Sequence, residues 1–338
     1  MIIVLRPNIT KKAEKEILSE IRKLGYKPHV MRGVSRTVIG AIGDEQTHHT
    51  LETLTAFEQV ESVTPIQKRY KLVSREAHAE DSTITLPNGA VIGGKELVVM
   101  AGPCSVEDEK QLMTTAEAVA EAGAKVLRGG AFKPRTSPYE FQGLGEKGLK
   151  LLAKARKATG LPIITELLSE NHADMVAEYA DVLQIGTRNA QNFQLLIAAA
   201  KTGKPVLLKR GMAQRIEEWL LAGEYVLSNN NPGLMFCERG IRTFETFTRN
   251  TLDLSAIPIL KRASHCPVVI DPSQGSGRAD LVAAMCKGAV AMGADSLLIE
   301  VHPNPAEAWS DGAQQLSLDG FKDLMLELEP FKAAAGRE

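Results

Sequence analysis

Short apolar runs and amphipathic segments alternate along the N-terminal part of the chain. The pattern predicts, in order, a strand at 2–5, a helix at 10–24, strands at 27–30 and 36–42, a helix at 48–56 and a strand at 60–64. This βαββαβ order is that of a ferredoxin-like α+β domain. We therefore expect a small domain over residues 1–70, and a charged stretch at 67–81 that interrupts the periodicity is predicted to be a linker.

The rest of the chain repeats one unit, a β-rich run followed by a helix-sized segment. Before the first unit, Pro87-Asn88-Gly89 lies between two alternating runs and predicts a short hairpin that closes one end of the following structure. The predicted strands are at 97–101, 125–128, 162–165, 182–185, 205–208, 234–237, 267–270 and 296–299. Eight strand–helix units form a closed (β/α)8 barrel, so we assign 71–96 to a linker and hairpin and 97–338 to the barrel.

An open doubly wound sheet is the alternative arrangement of these units. It requires a glycine-rich phosphate-binding turn after the first strand and a clear switch point in the strand order. The first turn is Ala101-Gly102-Pro103-Cys104 instead. The pattern therefore favours an α/β fold of the TIM-barrel type with a small N-terminal domain.

Composition and charge narrow the class of protein. The 338 residues are 44% hydrophobic and 24% charged, ordinary values for a folded globular chain. A net charge of -1 provides no molecule-wide field for nucleic acid or an anionic membrane, so neither is an expected partner. No stretch approaches the roughly 18 apolar residues of a membrane span. The four cysteines form no CxxC pairs, so we expect free thiols and a cytoplasmic protein.

Polar residues follow the carboxyl ends of the predicted strands, where the active sites of β/α barrels lie. The residues at these ends are Cys104, Arg128, Glu166, Arg188, Lys209, Arg239, Asp271 and Glu300, with Lys133, Arg135 and Asp311 in adjoining loops. One arginine at such a place is usually a solvated surface residue, but six cations together repel one another unless anions offset them. We therefore expect ligands that carry phosphate and carboxylate groups.

Cys104, Glu300 and Asp311 form a second group, because the first and last strands of a closed barrel are neighbours. One thiolate and two carboxylates suit a divalent transition metal. Taken singly, however, a cysteine such as Cys104 is often a small buried core residue. Glu300 could likewise form an ion pair with one of the cations. Spacing alone leaves both interpretations open. The remaining cysteines are assigned to the core: Cys237, Cys266 and Cys286.

Seven ordered motifs resemble the 3-deoxy-D-arabino-heptulosonate 7-phosphate (DAHP) synthases, in the subgroup that includes the 3-deoxy-manno-octulosonate 8-phosphate synthases. The motifs are AGPCSVE (101–107), LRGGAFKPRTSPYEFQGLG (127–145), QIGTRNAQN (184–192), LLKRG (207–211), CERGIRTFE (237–245), VIDPSQGSGR (269–278) and EVHPNP (300–305). The KPRTSPY segment at 133–139 resembles the enzymes that use an aldose 4-phosphate more than those that use a pentose phosphate. The N-terminal segment resembles the feedback-regulation domain of some DAHP synthases.

The resemblance implies which residues bind the two substrates, phosphoenolpyruvate and erythrose 4-phosphate. Phosphoenolpyruvate is expected on Arg128, Lys133, Arg188, Lys209 and Arg239, with Glu166 and Asp271 nearby. Arg135 and Thr136 are expected to hold erythrose 4-phosphate. Carbon C3 of phosphoenolpyruvate then attacks the aldehyde, and water attacks C2 before phosphate leaves. Lys133 and a water near Glu166 are the candidate proton carriers.

The resemblance also implies a divalent metal ion, Mn, Fe, Zn or Co, on Cys104, Glu300 and Asp311. The family's fourth ligand is the histidine of an Asp-Pro-Ser-His motif, and here that position is Gln274. A glutamine carbonyl is a poorer ligand for a transition metal than imidazole, so we expect weaker metal binding. His265 and His302 are not expected to replace the missing ligand.

Two alternatives to DAHP synthesis follow from Gln274. One is a related synthase with altered metal dependence or a different aldose phosphate. The other is a binding protein that kept the phosphate pocket and lost turnover. For the main interpretation we expect a homotetramer that is inhibited by an aromatic amino acid, on family resemblance.

Overall fold

The chain forms two compact units, Met1–Arg69 and Tyr70–Glu338. The computed structural model describes residues 1–7, 9–32, 36–43, 45–64 and 69–338. The first two residues of the predicted linker, 67 and 68, lie outside the described residues. The N-terminal unit has one buried apolar cluster and the barrel unit has two, and the clusters of the two units share no residue.

The N-terminal unit is a four-stranded antiparallel sheet with two helices. Its elements are β1 (Ile2–Leu5), α1 (Lys11–Lys23), β2 (Lys27–Arg32), β3 (Thr37–Ile42), a 3-10 helix (Glu45–Ala56) and β4 (Val60–Thr64). The strand order β2-β3-β1-β4 is that of the predicted ferredoxin-like fold. Thr10 caps α1, because its hydroxyl accepts a hydrogen bond from the Ala13 amide at 3.2 Å.

The second helix of this unit differs from the expected one in type and start. Instead of an α-helix at 48–56, the segment is a 3-10 helix over Glu45–Ala56. The hydroxyls of Thr53 and Thr55 donate to the carbonyls of Thr50 and Glu52, three residues back. Such side-chain hydrogen bonds compete with the backbone hydrogen bonds of a regular α-helix. This competition favours the tighter 3-10 helix.

The larger unit is a closed barrel of eight parallel strands, as predicted. The strands are β7 (Val98–Gly102), β8 (Val126–Arg128), β9 (Ile163–Glu166), β10 (Val182–Ile185), β11 (Val206–Lys209), β12 (Leu234–Glu238), β13 (Val268–Ile270) and β14 (Ser296–Glu300). The barrel closes where β14 pairs with β7, with Leu298 opposite Met100. This pairing brings the first and last strand ends together.

Helices surround the barrel and pack their apolar faces against the strands. They are α2 (Glu109–Glu121), α3 (Glu146–Thr159), α4 (Ala173–Tyr179), α5 (Phe193–Lys201), α6 (Ile216–Leu227), α7 (Ala256–Ala263), α8 (Pro272–Ser276), α9 (Ala279–Ala291) and α10 (Leu318–Ala334). Four short 3-10 turns lie in the connecting loops, at Glu170–His172, Thr187–Asn189, Pro305–Glu307 and Gly312–Gln314. The α8 turn is short and directly follows β13, which brings Gln274 close to the strand ends.

A hairpin fills one end of the barrel. Its strands, β5 (Ile84–Thr85) and β6 (Val91–Ile92), pair antiparallel around the predicted turn. Ile84 and Ile92 are buried in one cluster with inward-facing strand residues such as Val98 and Met100. Because the amino ends of the strands are covered in this way, the open mouth lies at the carboxyl ends.

Residues just after the N-terminal unit are bound to the barrel. The carboxylate of Glu224, on α6, accepts hydrogen bonds from the backbone amides of Lys71, Leu72 and Val73 at 2.7, 3.1 and 2.9 Å. His265 adds a contact between its Nε2 and the Leu72 carbonyl oxygen at 2.8 Å. The segment from Tyr70 onward therefore belongs structurally to the barrel unit.

Candidate active site

A cavity of about 390 Å³ opens at the carboxyl ends of the strands. Its lining residues are Lys133, Pro134, Arg135, Thr136, Glu140, Glu166, Gln184, Gly186, Thr187, Arg188, Lys209, Met212, Arg239, Arg242, Arg249, Asn250, Gln274 and Asp311. Cys104 and Arg128 line a smaller adjoining cavity beside Lys133. Asp271 and Glu300 lie buried beneath these walls. The sequence-predicted residues therefore gather at one place, with cations in excess.

Two of the predicted cations form buried ion pairs within the protein. Nζ of Lys209 lies 2.5 Å from Oδ2 of Asp271, and Nη1 of Arg128 lies 3.1 Å from Oε1 of Glu300. Arg128 also donates to the carbonyl of Pro103 at 2.8 Å. Part of the repulsion between the cations is therefore offset by protein carboxylates and not by ligands alone. The Arg128–Glu300 pair is the ion pair that the sequence had left open as one interpretation of Glu300.

Arg188 and Arg239 have no carboxylate partner among the described residues. Arg188 donates only to Oγ1 of Thr136 at 3.3 Å, and Arg239 donates through Nη2 to Oε1 of Gln274 at 3.1 Å. Nη1 of Arg239 is buried without a hydrogen-bond partner. Burial lowers the pKa of Arg239, although Asp271 opposes this change. An anion bound here would give the guanidinium the partner that it lacks.

Arg135 lies in the loop after β8 with a replaceable partner. Its Nε is 3.0 Å from Oε2 of the exposed Glu140, in the same loop. An exposed pair of this kind contributes little to stability. The guanidinium is therefore free to exchange Glu140 for a phosphate at small cost.

Glu166 ends β9 and faces the cavity. Burial raises the pKa of its carboxyl, against the opposite effect of Lys133 and Lys209. Gln184 donates to its Oε2 at 3.3 Å. A Cβ at position 186 would lie 1.9 Å from Oε1 of Glu166, so any larger residue there would force the Glu166 carboxylate to move. A carboxyl with a raised pKa in a cavity is suited to proton transfer.

Lys133 and Cys104 are buried in direct contact. Nζ of Lys133 lies 3.0 Å from Sγ of Cys104 and 3.2 Å from its carbonyl oxygen. Burial raises the pKa of the Cys104 thiol to about 12, and Glu300 adds to this rise. Burial alone would lower the pKa of Lys133, but Cys104 and Glu300 raise it above its ordinary value. Lys133 is therefore an ammonium ion at neutral pH.

Cys104, Glu300 and Asp311 form a cluster that can hold a metal ion. Their ligand atoms all lie within 4.8 Å of one another, and Sγ of Cys104 is 3.4 Å from Oδ2 of Asp311. One sulfur and two carboxylate oxygens fit a divalent transition metal. Because the thiol is protonated at neutral pH, metal binding would release a proton.

The loop that carries Asp311 is fixed to the Cys104 segment by polar contacts. Oε1 of Gln315 accepts from the Cys104 amide at 3.2 Å, and its Nε2 donates to the Ser310 carbonyl at 2.9 Å. Asp311 has φ of 49°, a left-handed conformation that is uncommon outside glycine. Although burial opposes it, Arg249 and Lys133 lower the pKa of Asp311 to about 2. Asp311 is therefore ionised at neutral pH, and its loop holds it beside Cys104.

Gln274 occupies the position of the expected fourth ligand, but it presents its amide nitrogen to the cluster. Nε2 donates to Oε1 of Glu300 at 3.1 Å and to Oδ2 of Asp311 at 3.2 Å. An amide nitrogen is a donor and cannot ligate a cation. Three residues therefore fit a metal as they stand, whereas Gln274 fits only after its amide rotates.

His265 and His302, which were not expected to replace the missing ligand, both have their hydrogen-bond partners outside the cluster. His302 contacts Oε2 of Glu107 through Nε2 at 3.2 Å and accepts from the Asn304 amide through Nδ1. His265 contacts Ser82 at 2.7 Å, near the hairpin. The cysteines assigned to the core are all buried: Cys237, Cys266 and Cys286.

Several residues that contact the site were missed by the strand-end pattern. Arg249 pairs with Oδ1 of Asp311 at 3.0 Å, and Gln314 donates to Oε2 of Glu300 at 2.7 Å. Arg242, like Arg249, lines the cavity from the long loop after β12. The signal was the recurrence of arginine within that loop, beyond the first polar residue after the strand.

Comparison with protein families matches both units. Residues 76–333 match the DAHP synthetase I family, and residues 1–68 match the DAHP synthase ferredoxin-like domain. Among the described residues, no helix is both long and apolar enough to cross a bilayer.

Curated relatives differ in how much of the chain they cover. The chain is 49% identical to phospho-2-dehydro-3-deoxyheptonate aldolase of Thermotoga maritima over 336 residues, 99% of each chain. It is 34% identical to 2-dehydro-3-deoxyphosphooctonate aldolase of Caulobacter vibrioides over 275 residues, 74% of this chain and 93% of the relative.

Solved structures are similar to the whole chain and to the barrel. The crystal structure of the Thermotoga maritima DAHP synthase superposes with a TM-score of 0.94 and 48% identity, covering 100% of this chain and 98% of that one. A truncated form of that enzyme superposes with a TM-score of 0.75 and covers 80% of this chain and 98% of its own. The chain belongs to the DAHP synthetase I family.

Proposed function

We propose that the protein condenses phosphoenolpyruvate with erythrose 4-phosphate to give DAHP and phosphate, the first step of the shikimate pathway. The observation that carries the proposal is the cation-lined cavity beside the cluster of Cys104, Glu300 and Asp311. The full-length similarity to a relative named phospho-2-dehydro-3-deoxyheptonate aldolase supports this substrate pair over the octulosonate one, whose relatives cover less of the chain.

Phosphoenolpyruvate carries a phosphate and a carboxylate, and the inner part of the cavity offers a cation for each. Arg239 has an unpartnered buried nitrogen. Lys209 lines the same cavity and Arg128 the smaller adjoining one, each in an ion pair. Arg188 and Lys133 complete this group at the cavity wall. Arg135 and Thr136 lie in the outer loop and are assigned to the phosphate of erythrose 4-phosphate.

The chemistry needs an electrophilic aldehyde and two proton transfers. A divalent cation on Cys104, Glu300 and Asp311 supplies Lewis-acid polarisation of the aldehyde when bound. As C3 of phosphoenolpyruvate attacks the aldehyde carbon, the ammonium of Lys133 donates a proton to the new hydroxyl oxygen. Water then adds to C2 and gives one proton to Glu166. Cleavage of the bond between C2 and the phosphate oxygen forms the ketone, and the departing phosphate takes the second proton of the added water.

The direct test is the release of inorganic phosphate from the two substrates together. The assay is run on metal-stripped protein and after addition of Mn²⁺, Fe²⁺, Zn²⁺ or Co²⁺, because the ligand set does not select among these ions. DAHP formation in step with phosphate supports the proposal. Binding of phosphoenolpyruvate without phosphate release under every condition would indicate a binding protein instead.

Arg135→Ala is expected to raise the KM for erythrose 4-phosphate by about 10- to 100-fold, since a charge-assisted hydrogen bond contributes about 1.5–3 kcal/mol. The affinity for phosphoenolpyruvate should not change, because Arg135 lies in the outer loop. Steady-state kinetics with each substrate varied in turn separates the two effects. An unchanged KM for erythrose 4-phosphate would remove Arg135 from the site.

Arg188→Ala is expected to weaken phosphoenolpyruvate binding by about 10- to 100-fold for the same reason. Isothermal calorimetry with phosphoenolpyruvate alone measures this without turnover. Arg262→Ala is the matched control, because Arg262 is an exposed arginine on α7. Equal affinities in the Arg188 variant and the control contradict the assignment.

The N-terminal unit is proposed to be a regulatory domain that binds an aromatic amino acid, and the protein a homotetramer. Deletion of residues 1–69 is expected to leave a soluble, active barrel that is insensitive to tyrosine and phenylalanine. The reason is that the two units have separate cores, while Lys71 and Val73 are bound to Glu224 of the barrel. Insolubility of the deleted form, or inhibition equal to that of the full chain, contradicts this proposal.

A further inference from the structure

The amide of Gln274 lies between two sites of opposite charge. Its oxygen accepts from Nη2 of Arg239 at 3.1 Å, on the side of the anion-binding cations. Its nitrogen donates to Glu300 and Asp311 at 3.1 and 3.2 Å, on the side of the metal cluster. Gln274 therefore connects the phosphoenolpyruvate site to the metal site through a single group.

The backbone of Gln274 is fixed, so only its side chain can reorient. Its amide donates to Oδ1 of Asp271 at 2.9 Å, as the start of α8 requires. Its carbonyl accepts from Nδ2 of Asn250 at 2.9 Å. A half-turn about the terminal side-chain torsion exchanges the amide oxygen and nitrogen without moving these contacts.

Without ligands, the charges on the two sides determine the amide orientation. The reverse orientation would point two N–H donors at the Arg239 guanidinium and the carbonyl oxygen at two carboxylates. With both ligands bound, the preference reverses. An anion on Arg239 needs a donor, and a cation between Glu300 and Asp311 needs an oxygen. Each ligand alone favours the same rotated amide.

We propose that Gln274 contacts both ligands, its nitrogen the anion of phosphoenolpyruvate and its oxygen the divalent cation, and so makes their binding cooperative. The inference rests on the proposed function, because it takes phosphoenolpyruvate to be the anion on Arg239. A histidine at this position would offer a ring nitrogen to the cation without an amide that must first rotate. Glutamine thus makes metal binding depend on substrate.

The expected effect is a metal affinity that rises when phosphoenolpyruvate is present. Couplings between two sites are typically 5- to 150-fold, and we expect the Kd for Mn²⁺ to fall by about tenfold or more. By linkage, Mn²⁺ must tighten phosphoenolpyruvate by the same factor. The measurement uses full-length, metal-stripped protein and calorimetry with Mn²⁺, with and without phosphoenolpyruvate and with no erythrose 4-phosphate. Co²⁺ provides a second readout, since the absorption of a cobalt–thiolate bond reports binding at Cys104.

Two variants test the role of the amide itself. Gln274→Met keeps the length of the side chain and removes both hydrogen-bonding groups, so the coupling should vanish. Gln314→Met is the matched control, because Gln314 also donates to Glu300 but its amide oxygen accepts from Arg249 and not from Arg239. This control should keep the coupling.

The outcomes separate this inference from the proposed function. If phosphoenolpyruvate binds but leaves the Mn²⁺ affinity of the natural protein unchanged, the inference is overturned and the proposed function stands. Coupling that survives in Gln274→Met also overturns it. If phosphoenolpyruvate does not bind the protein with or without metal, both are overturned. The comparison within the natural protein decides the question even if a variant fails to fold.

Discussion

Lys133→Met is expected to lower kcat by about 10²- to 10⁴-fold, the usual contribution of a general acid. The side chain is buried, and its ammonium lies 3.0 Å from Sγ of Cys104, a member of the cluster that we propose binds the metal next to the aldehyde. Burial would lower the pKa of Lys133, but Cys104 and Glu300 raise it above its ordinary value. The amine is therefore protonated at neutral pH. The substitution removes the proton donor and keeps most of the packing volume.

The measurement is the rate of phosphate release at saturating substrates, beside calorimetric binding of phosphoenolpyruvate. Lys133 is also assigned to phosphoenolpyruvate, so a loss of affinity is expected too, and saturation isolates the effect on kcat. Lys147→Met, at an exposed position on α3, is the control for loss of a lysine. If kcat is retained while only the KM rises, Lys133 binds substrate and another group donates the proton.

Apolar runs were sufficient to predict the barrel. The strand predicted at 97–101 is Val98–Gly102, and that predicted at 182–185 has the same bounds in the structure. Each run is buried on both faces, so its apolar pattern is continuous and its ends are clear. The ferredoxin-like order was predictable for a different reason, because strands such as Ile2–Leu5 alternate between more and less buried positions. The exception is the segment at 45–56, where threonine hydroxyls favour a 3-10 helix.

The family and the DAHP synthase activity predicted from the motifs are confirmed by the comparisons, but the detailed contacts of the site were beyond the sequence. Arg249 donates to Asp311, although the two residues are 62 positions apart in the chain. Its place depends on how the loop after β12 folds over the strand ends. Asp271 and Glu300 were predicted at the mouth, and the structure adds that each pairs with one of the cations. Only the packed structure reveals which charges compensate each other.

Gln274 is the clearest example of a side chain whose contacts could not be predicted from the sequence. The sequence identifies the position as a departure from the family motif and predicts weaker metal binding, because a carbonyl oxygen replaces imidazole. The sequence does not reveal that the side-chain amide points its nitrogen, and not its oxygen, at the metal cluster. Arg239 binds the oxygen and the two carboxylates bind the nitrogen, so the ligand atom faces away from the cluster. For Gln274 to become a metal ligand without substrate, its amide must therefore break three hydrogen bonds that an imidazole ligand would not require.

Gln274→His is expected to tighten metal binding in the absence of substrate by more than the roughly 10- to 100-fold known for groups that only support a ligand, since a direct ligand is gained. With Cys104, Glu300 and Asp311 in place, the histidine completes a set of one sulfur, one nitrogen and two carboxylates. Activity at limiting metal should rise accordingly. Elemental analysis and Mn²⁺ calorimetry on both forms measure the change, and Gln59→His, in the N-terminal unit, controls for metal bound by an added histidine. Full turnover of the natural protein in chelator, with neither metal content nor rate altered by Gln274→His, would mean that the donated amide hydrogens of Gln274 have replaced the cation. Cys104 would then serve as a packing residue beside Lys133.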